Sequence, residues 1–131
     1  MNRRRVESLE DLPSQLVRPL RGLDPERLRT WSVAGGQRYV GVDFSASRDR
    51  RSVFAALGRA FELPDWFGAN LDALYDSLTD LEPGPGYLVL LDRLPATKDF
   101  GVEQRDALLD VFRDVVRYYA DTGVPFRVFY R

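Results

Sequence analysis

The feature that most constrains the fold is an unbroken apolar run, YLVLL at residues 87–91, which directly follows the chain-breaking sequence PGPG at residues 83–86. The run has the length of a strand, and its lack of polar alternation predicts a strand covered on both faces. We therefore place it at the centre of a sheet. Strand patterns at residues 39–44 and 126–130 alternate with helical patterns, which predicts parallel strands joined by crossovers.

Apolar residues at three- and four-residue spacing predict two helices around these strands. The first covers residues 47–61 and carries Val53, Leu57 and Phe61 on one face. The second covers residues 102–121, with its apolar stripe at Leu108, Phe112, Val115, Val116 and Tyr119. Together with the strands, these helices predict an α/β domain over residues 38–131.

Residues 1–37 are predicted to form an N-terminal extension, a tail that can add a short edge strand and a helix. Residues 15–17 have a strand pattern that Pro19 ends. The sequence Asp24-Pro25-Glu26 is typical of a helix start, and Gly35-Gly36 ends that helix.

Composition excludes several classes of function. The 131 residues include no histidine and no cysteine, so Ser-His and Cys-His nucleophiles and ordinary zinc sites are excluded. We predict that the protein is not an enzyme and has no cofactor and no metal site. The net charge of −1 argues against direct nucleic-acid binding of the basic kind.

Two patterns bear on membranes and export. No apolar run reaches the length needed to span a bilayer, so we predict no membrane association. Arg3, Arg4 and Arg5 lead into acidic residues rather than an apolar segment, and we therefore expect no signal peptide.

An acidic stripe runs along a predicted helix within residues 63–82. Leucines at positions 71, 74, 78 and 81 define its apolar face, while Asp72, Asp76 and Asp80 recur at every fourth residue. Like charges at this spacing destabilise a helix by a few tenths of a kcal/mol. Neither lysine nor arginine occurs between Arg59 and Arg93, so the stripe is a candidate surface for a cationic partner.

The negative charge of one residue in this stripe, Asp72, also has an explanation that involves no partner. With Asn70 as N-cap, Asp72 lies in the first helical turn, where the helix dipole favours a negative charge. Asp76 and Asp80 lie too far along the helix for that effect. For them the alternative to a binding role is a solvated polar surface.

The motif LPDWFGANLDALYDSL at residues 63–78 closely resembles the signature of the barstar family, intracellular inhibitors of microbial ribonucleases such as barnase. The resemblance covers roughly residues 38–131 and includes the VFRD sequence at residues 111–114. It implies a three-stranded parallel sheet packed against helices. It also implies a ribonuclease inhibitor located in the cytoplasm.

The resemblance also implies roles for individual residues. Asp76 is the strongest anchor in the nuclease active site, with Asp72 beside it and Trp66 and Tyr75 flanking. For Tyr75, burial against the leucines is the alternative. With Asp80 added from the acidic stripe, the full set of candidate partner-binding residues is Trp66, Gly68, Asn70, Asp72, Tyr75, Asp76, Asp80 and Asp114.

Gly68 and Asn70 shape the start of the helix and supply backbone contacts in this scheme. Asp114 occupies a position where these inhibitors carry an acid that touches the nuclease. A surface ion pair with Arg117 is its alternative role. Asp80 is a departure, because barstar has a glycine there.

The predicted partner is a small, basic, secreted ribonuclease of the barnase type, or another toxin with a cationic active site. We expect a monomer that forms a 1:1 complex by presenting carboxylates in place of RNA phosphates. One alternative is a module of the same fold that binds a non-ribonuclease toxin or other protein. Another is a magnesium-dependent hydrolase using Asp72, Asp76 and Asp80, although acids along a single helix lack a concave pocket.

Overall fold

The computed structural model describes residues 6–64, 67, 69–82 and 84–131. Its helices are α1 (Pro25–Ala34), α2 (Arg50–Ala60), α3 (Leu71–Thr79) and α4 (Val102–Asp121), and a short 3-10 turn covers Leu9–Asp11. Its strands are β1 (Gln15–Pro19), β2 (Arg38–Asp43), β3 (Tyr87–Asp92) and β4 (Phe126–Tyr130).

The described strands form one parallel sheet of four strands in the order β1-β4-β3-β2. The apolar run forms β3, which lies between β2 and β4, so its predicted interior position is confirmed. The resemblance implies a sheet of three strands, and this number is wrong because the sheet has a fourth strand. The additional strand is β1 from the N-terminal extension, and it pairs with β4 from Gln15 opposite Phe126 to Pro19 opposite Tyr130.

The sheet has an apolar core on each face, which explains why β3 lacks polar alternation. Tyr87, Val89 and Leu91 belong to the main core, which is closed by α2, α3 and α4. Leu88 and Leu90 belong to a smaller second core on the opposite face. The other buried members of that second core are Leu9, Leu12, Leu16, Leu28 and Phe129.

A buried arginine in β4 joins the N-terminal extension to the sheet. Arg127 is only 4% exposed. Its guanidinium donates hydrogen bonds to the carbonyl oxygen of Pro13 (2.9 Å), to Oε1 of Gln37 (3.1 Å) and to the carbonyl oxygen of Leu9 (3.4 Å). Burial lowers the pKa of this guanidinium. All three acceptors belong to residues 1–37, so the charge is satisfied by the extension.

Helix α2 begins later than the sequence predicts. The helix starts at Arg50 rather than residue 47, because Asp49 and Ser52 cap it reciprocally. The Ser52 backbone N–H donates to Asp49 Oδ1 (2.8 Å), and the Asp49 N–H donates to Ser52 Oγ (3.1 Å).

Candidate partner-binding face

The start of α3 is set by Asn70, as the sequence predicts. Asn70 has an extended backbone, and its side-chain Oδ1 accepts a hydrogen bond from the Ala73 backbone N–H at 2.8 Å. This bond satisfies one of the free N–H groups of the first turn. Asp72 consequently lies in the first turn, where the helix dipole favours its charge.

The underside of α3 is fixed to α4. Leu74 and Leu78 are fully buried in the main core. The Tyr119 hydroxyl of α4 donates a hydrogen bond to the Leu78 carbonyl oxygen at 2.6 Å, and burial raises the pKa of Tyr119 to about 12. Tyr75 is partly buried against the same core. These contacts determine which side of α3 remains open to solvent.

Three carboxylates lie on that open side. Asp72, Asp76 and Asp80 are all exposed. Within the described residues, none of these three side chains forms a hydrogen bond or an ion pair. The predicted position of Asp80 inside the helix is wrong, because α3 ends at Thr79 and Asp80 is its C-cap. A carboxylate at this end opposes the helix dipole.

A groove of about 670 Å³ runs along the surface between α3 and α4, and the predicted acids line it together. Asp72 and Asp76 line it from α3, and Asp114 and Asp121 line it from α4. Arg117 also lines the groove and pairs with Asp114 at 3.3 Å. The predicted ion pair is therefore present. Because the Asp114 and Arg117 side chains are 58% and 75% exposed, this pair contributes well under about 1 kcal/mol.

A second groove of about 660 Å³ lies on the other side of Asp76. Glu62 and Asp80 contribute its carboxylates, and Tyr118 lines both grooves together with Asp76. We call the exposed surface formed by α3 and the adjoining side of α4 the acidic face. Its carboxylates are Asp72, Asp76, Asp80, Asp114 and Asp121.

Two predicted site residues, Trp66 and Gly68, lie outside the described residues. Their neighbour Phe67 is partly buried and packs against the main core. Its ring centroid is 6.3 Å from that of Phe54.

Sequence reasoning missed Tyr118 and Asp121. Tyr118 is 40% exposed and stands against the ring of Tyr119 in an edge-on arrangement. Residues 114, 118 and 121 recur at four- and three-residue spacing, so they share one side of α4. That spacing could have identified Tyr118 and Asp121 from the sequence, but the apolar stripe of α4 is the stronger pattern in the same residues.

Two further properties concern metals and membranes. Within residues 6–64, 67, 69–82 and 84–131, no three acidic side chains are grouped so that they can hold a metal ion. No described helix combines the length and the apolar character that crossing a bilayer requires.

Comparison with known protein families identifies the chain's relatives. The family model described as Barstar (barnase inhibitor) matches residues 37–131, which is more than half of the chain. The matched region contains α2, α3, α4 and strands β2 to β4, and therefore the whole acidic face. Helix α1 and strand β1 lie outside it. No curated protein matches the chain.

Proposed function

The chain belongs to the barstar family, and from that premise we propose that it inhibits a microbial ribonuclease by covering the enzyme's active site with the acidic face. The observation that carries the proposal is the state of Asp72 and Asp76. Both are exposed, and neither has a side-chain partner within the described residues. A ribonuclease holds RNA phosphates with arginine and lysine groups, and carboxylates accept charge-assisted hydrogen bonds from the same groups.

Rigidity of the helix supports this role. Leu74 and Leu78 hold α3 against the main core, and the Tyr119 hydrogen bond fixes its last turn. A surface that is already ordered loses less conformational entropy on binding. Asp76 lies between the two grooves and is therefore our proposed anchor, with Asp72 one turn before it.

Aromatic residues complete the proposed contact surface. Tyr75 and Tyr118 both line the groove between α3 and α4, and tyrosine is enriched among the residues that dominate binding energy. Roles for Trp66, Gly68 and Asn70 follow from the resemblance alone. Asp114 is expected to contribute less than Asp76, because Arg117 already pairs with it.

Charge distribution favours fast association with a basic enzyme. Residues 60–92 contain seven acids and no lysine or arginine. Complementary potentials of this kind accelerate encounter, and salt weakens the acceleration. We therefore expect a 1:1 complex with a small basic ribonuclease whose association rate falls as ionic strength rises.

A second candidate is a non-ribonuclease toxin with a cationic cleft. The second groove favours it, because Glu62 and Asp80 widen the acidic surface beyond the α3–α4 groove. Barstar has a glycine at the position of Asp80, so a target of different shape is consistent with this chain.

The proposal is tested with barnase as the probe, by inhibition of RNA hydrolysis and by titration calorimetry. We expect Asp76→Ala to weaken binding by more than about 2 kcal/mol, which is about 30-fold in Kd. Two kcal/mol is the general threshold for an interface hot spot, and an aspartate of barstar is one of the standard examples. The matched control is Asp106→Ala, since Asp106 is exposed on α4 and lines neither groove.

Two results would contradict the proposal at different levels. If Asp76→Ala binds barnase as tightly as the wild-type chain, Asp76 is not the anchor. If the wild-type chain neither binds nor inhibits barnase and other secreted microbial ribonucleases, inhibition of a ribonuclease is the wrong function. The non-ribonuclease toxin then becomes the leading candidate.

A further inference from the structure

An apolar pocket of about 210 Å³ opens where α2, α3 and α4 meet. Its walls come from Phe54, Leu71, Phe100, Ala107 and Leu108. A cavity of about 150 Å³ is large enough to hold benzene, so this pocket has room for one large apolar side chain.

The rim of the pocket is polar. Arg50 lies over the ring of Phe54 at 5.5 Å from its centroid, and Glu103 and Gln104 line the pocket from α4. An apolar floor inside a polar rim is the usual arrangement around the anchor residues of protein interfaces.

The pocket and the groove between α3 and α4 lie along one side of α4. The residues that mark this side recur at three- and four-residue spacing: Gln104, Ala107, Val111, Asp114, Tyr118 and Asp121. The first two line the pocket, the last four line the groove, and Leu71 borders both. The pocket and the groove thus lie next to each other on a stretch of α4 about 25 Å long, with the apolar pocket toward the start of α4 and the acidic groove toward its end.

We propose that the apolar pocket receives an aliphatic or aromatic side chain of the same basic ribonuclease whose cationic cleft covers the acidic face. This inference rests on the proposed function. The carboxylates of the groove select a basic occupant, because a second copy of this chain that docked through the same face would bring carboxylates against carboxylates. Because Leu71 borders both cavities, a partner seated on Asp76 and Asp114 would lie next to the opening of the pocket.

An apolar anchor would also contribute binding energy that the acidic surface alone does not supply. Interfacial charge pairs determine encounter rate and orientation, but desolvation offsets much of their attraction. A desolvated apolar contact next to them contributes affinity through slower dissociation. The pocket would therefore distinguish among basic enzymes that the carboxylates alone attract equally.

The test fills the pocket and measures binding to barnase by surface plasmon resonance. Ala107→Trp places a large side chain in the pocket, and Ala55→Trp is the matched control. Ala55 is exposed on α2 and lines none of the pockets described above. We expect Ala107→Trp to weaken binding about tenfold or more through faster dissociation, with the association rate and the Ala55→Trp affinity unchanged. Hydrogen exchange on the wild-type complex should show added protection across residues 100–108.

The other outcomes overturn this inference, and one of them also overturns the proposed function. If Ala107→Trp binds as the wild type does, or residues 100–108 gain no protection, the inference is overturned, while a loss caused by Asp76→Ala still supports the proposed function. Equal losses in both tryptophan variants, or a wild-type dimer in sedimentation that Ala107→Trp dissociates, also overturn it. A wild-type chain that does not bind barnase overturns the proposed function for that enzyme and this inference with it.

Discussion

The acidic face and the site of Arg127 differ in the environment of their charges, which is exposed in the first and buried in the second. On the acidic face, Asp72 and Asp76 are exposed and have no side-chain partner within the described residues. On the opposite side of the sheet, the guanidinium of Arg127 is buried and meets three acceptors from the N-terminal extension. Charge enclosed by its own chain holds the fold together, whereas charge left open is available to another molecule.

The two regions therefore differ in what a substitution should change. A buried charge loses its hydration and is tolerated only when hydrogen bonds replace it. Exposed carboxylates keep their hydration until a partner arrives. We expect changes at Arg127 to appear in the free energy of unfolding and changes at Asp76 to appear in binding.

The largest expected effect on stability is that of Arg127→Ala. The change leaves the carbonyl oxygens of Pro13 and Leu9 without their donor and opens a cavity in the second core. We expect the free energy of unfolding to fall by about 3 kcal/mol, measured by urea denaturation. Arg59→Ala, at an exposed position of α2, is the control and should stay within about 0.5 kcal/mol of the wild type. Equal losses in the two variants would remove the distinction between buried and exposed charge.

A smaller effect is expected from Tyr119→Phe, which removes the hydrogen bond beneath the acidic face. The Leu78 carbonyl oxygen then loses its donor, at a cost of about 1.5 kcal/mol in the free energy of unfolding. The exposed neighbour offers a matched control, Tyr118→Phe, for which we expect little change in stability. A loss in the control as large as in Tyr119→Phe would mean that this bond does not hold α3 in place.

Tyr119 also predicts a pH dependence of stability. Burial raises its pKa from 10.0 to about 12 in the folded state. The folded chain thus retains the phenol proton more strongly than the unfolded chain does. This contribution is complete below about pH 10 and is lost as the pH rises toward 12. Urea titrations between pH 8 and 11.5 should show a smaller alkaline loss in Tyr119→Phe, although not its removal, because burial also raises the pKa of Tyr87.

The smallest expected effect is a gain. Asp76→Asn removes repulsion between carboxylates four residues apart, so we expect the free energy of unfolding to rise by a few tenths of a kcal/mol while binding to barnase weakens. Asp110→Asn is the comparison, since Asp110 forms an ion pair with Arg113 at 2.8 Å and the loss of its negative charge should lower stability slightly. Destabilisation by Asp76→Asn would show that this carboxylate supports the fold.

Local patterns were sufficient to predict much of the secondary structure. The bounds of α4 and β4 agree with the sequence, because an uninterrupted apolar stripe and the turn at Gly123-Val124-Pro125 are local signals. The cap at Asn70 agrees for the same reason. The start of α2 was wrong by three residues, since a serine at the third helical position formed an unforeseen reciprocal cap with Asp49.

By itself, the sequence determined the interior strand, the leucine underside of α3 and a row of aspartates with no neighbouring cation, because each depends on residues close together in the chain. An edge strand at residues 15–17 was also predicted, but only the tertiary structure decided that it pairs with β4 and that Arg127 is buried beneath the extension. It alone also brought Asp114 and Tyr118 beside Asp76. Those relations join residues far apart in sequence, and packing between helices and strands, which no local periodicity encodes, sets their distances.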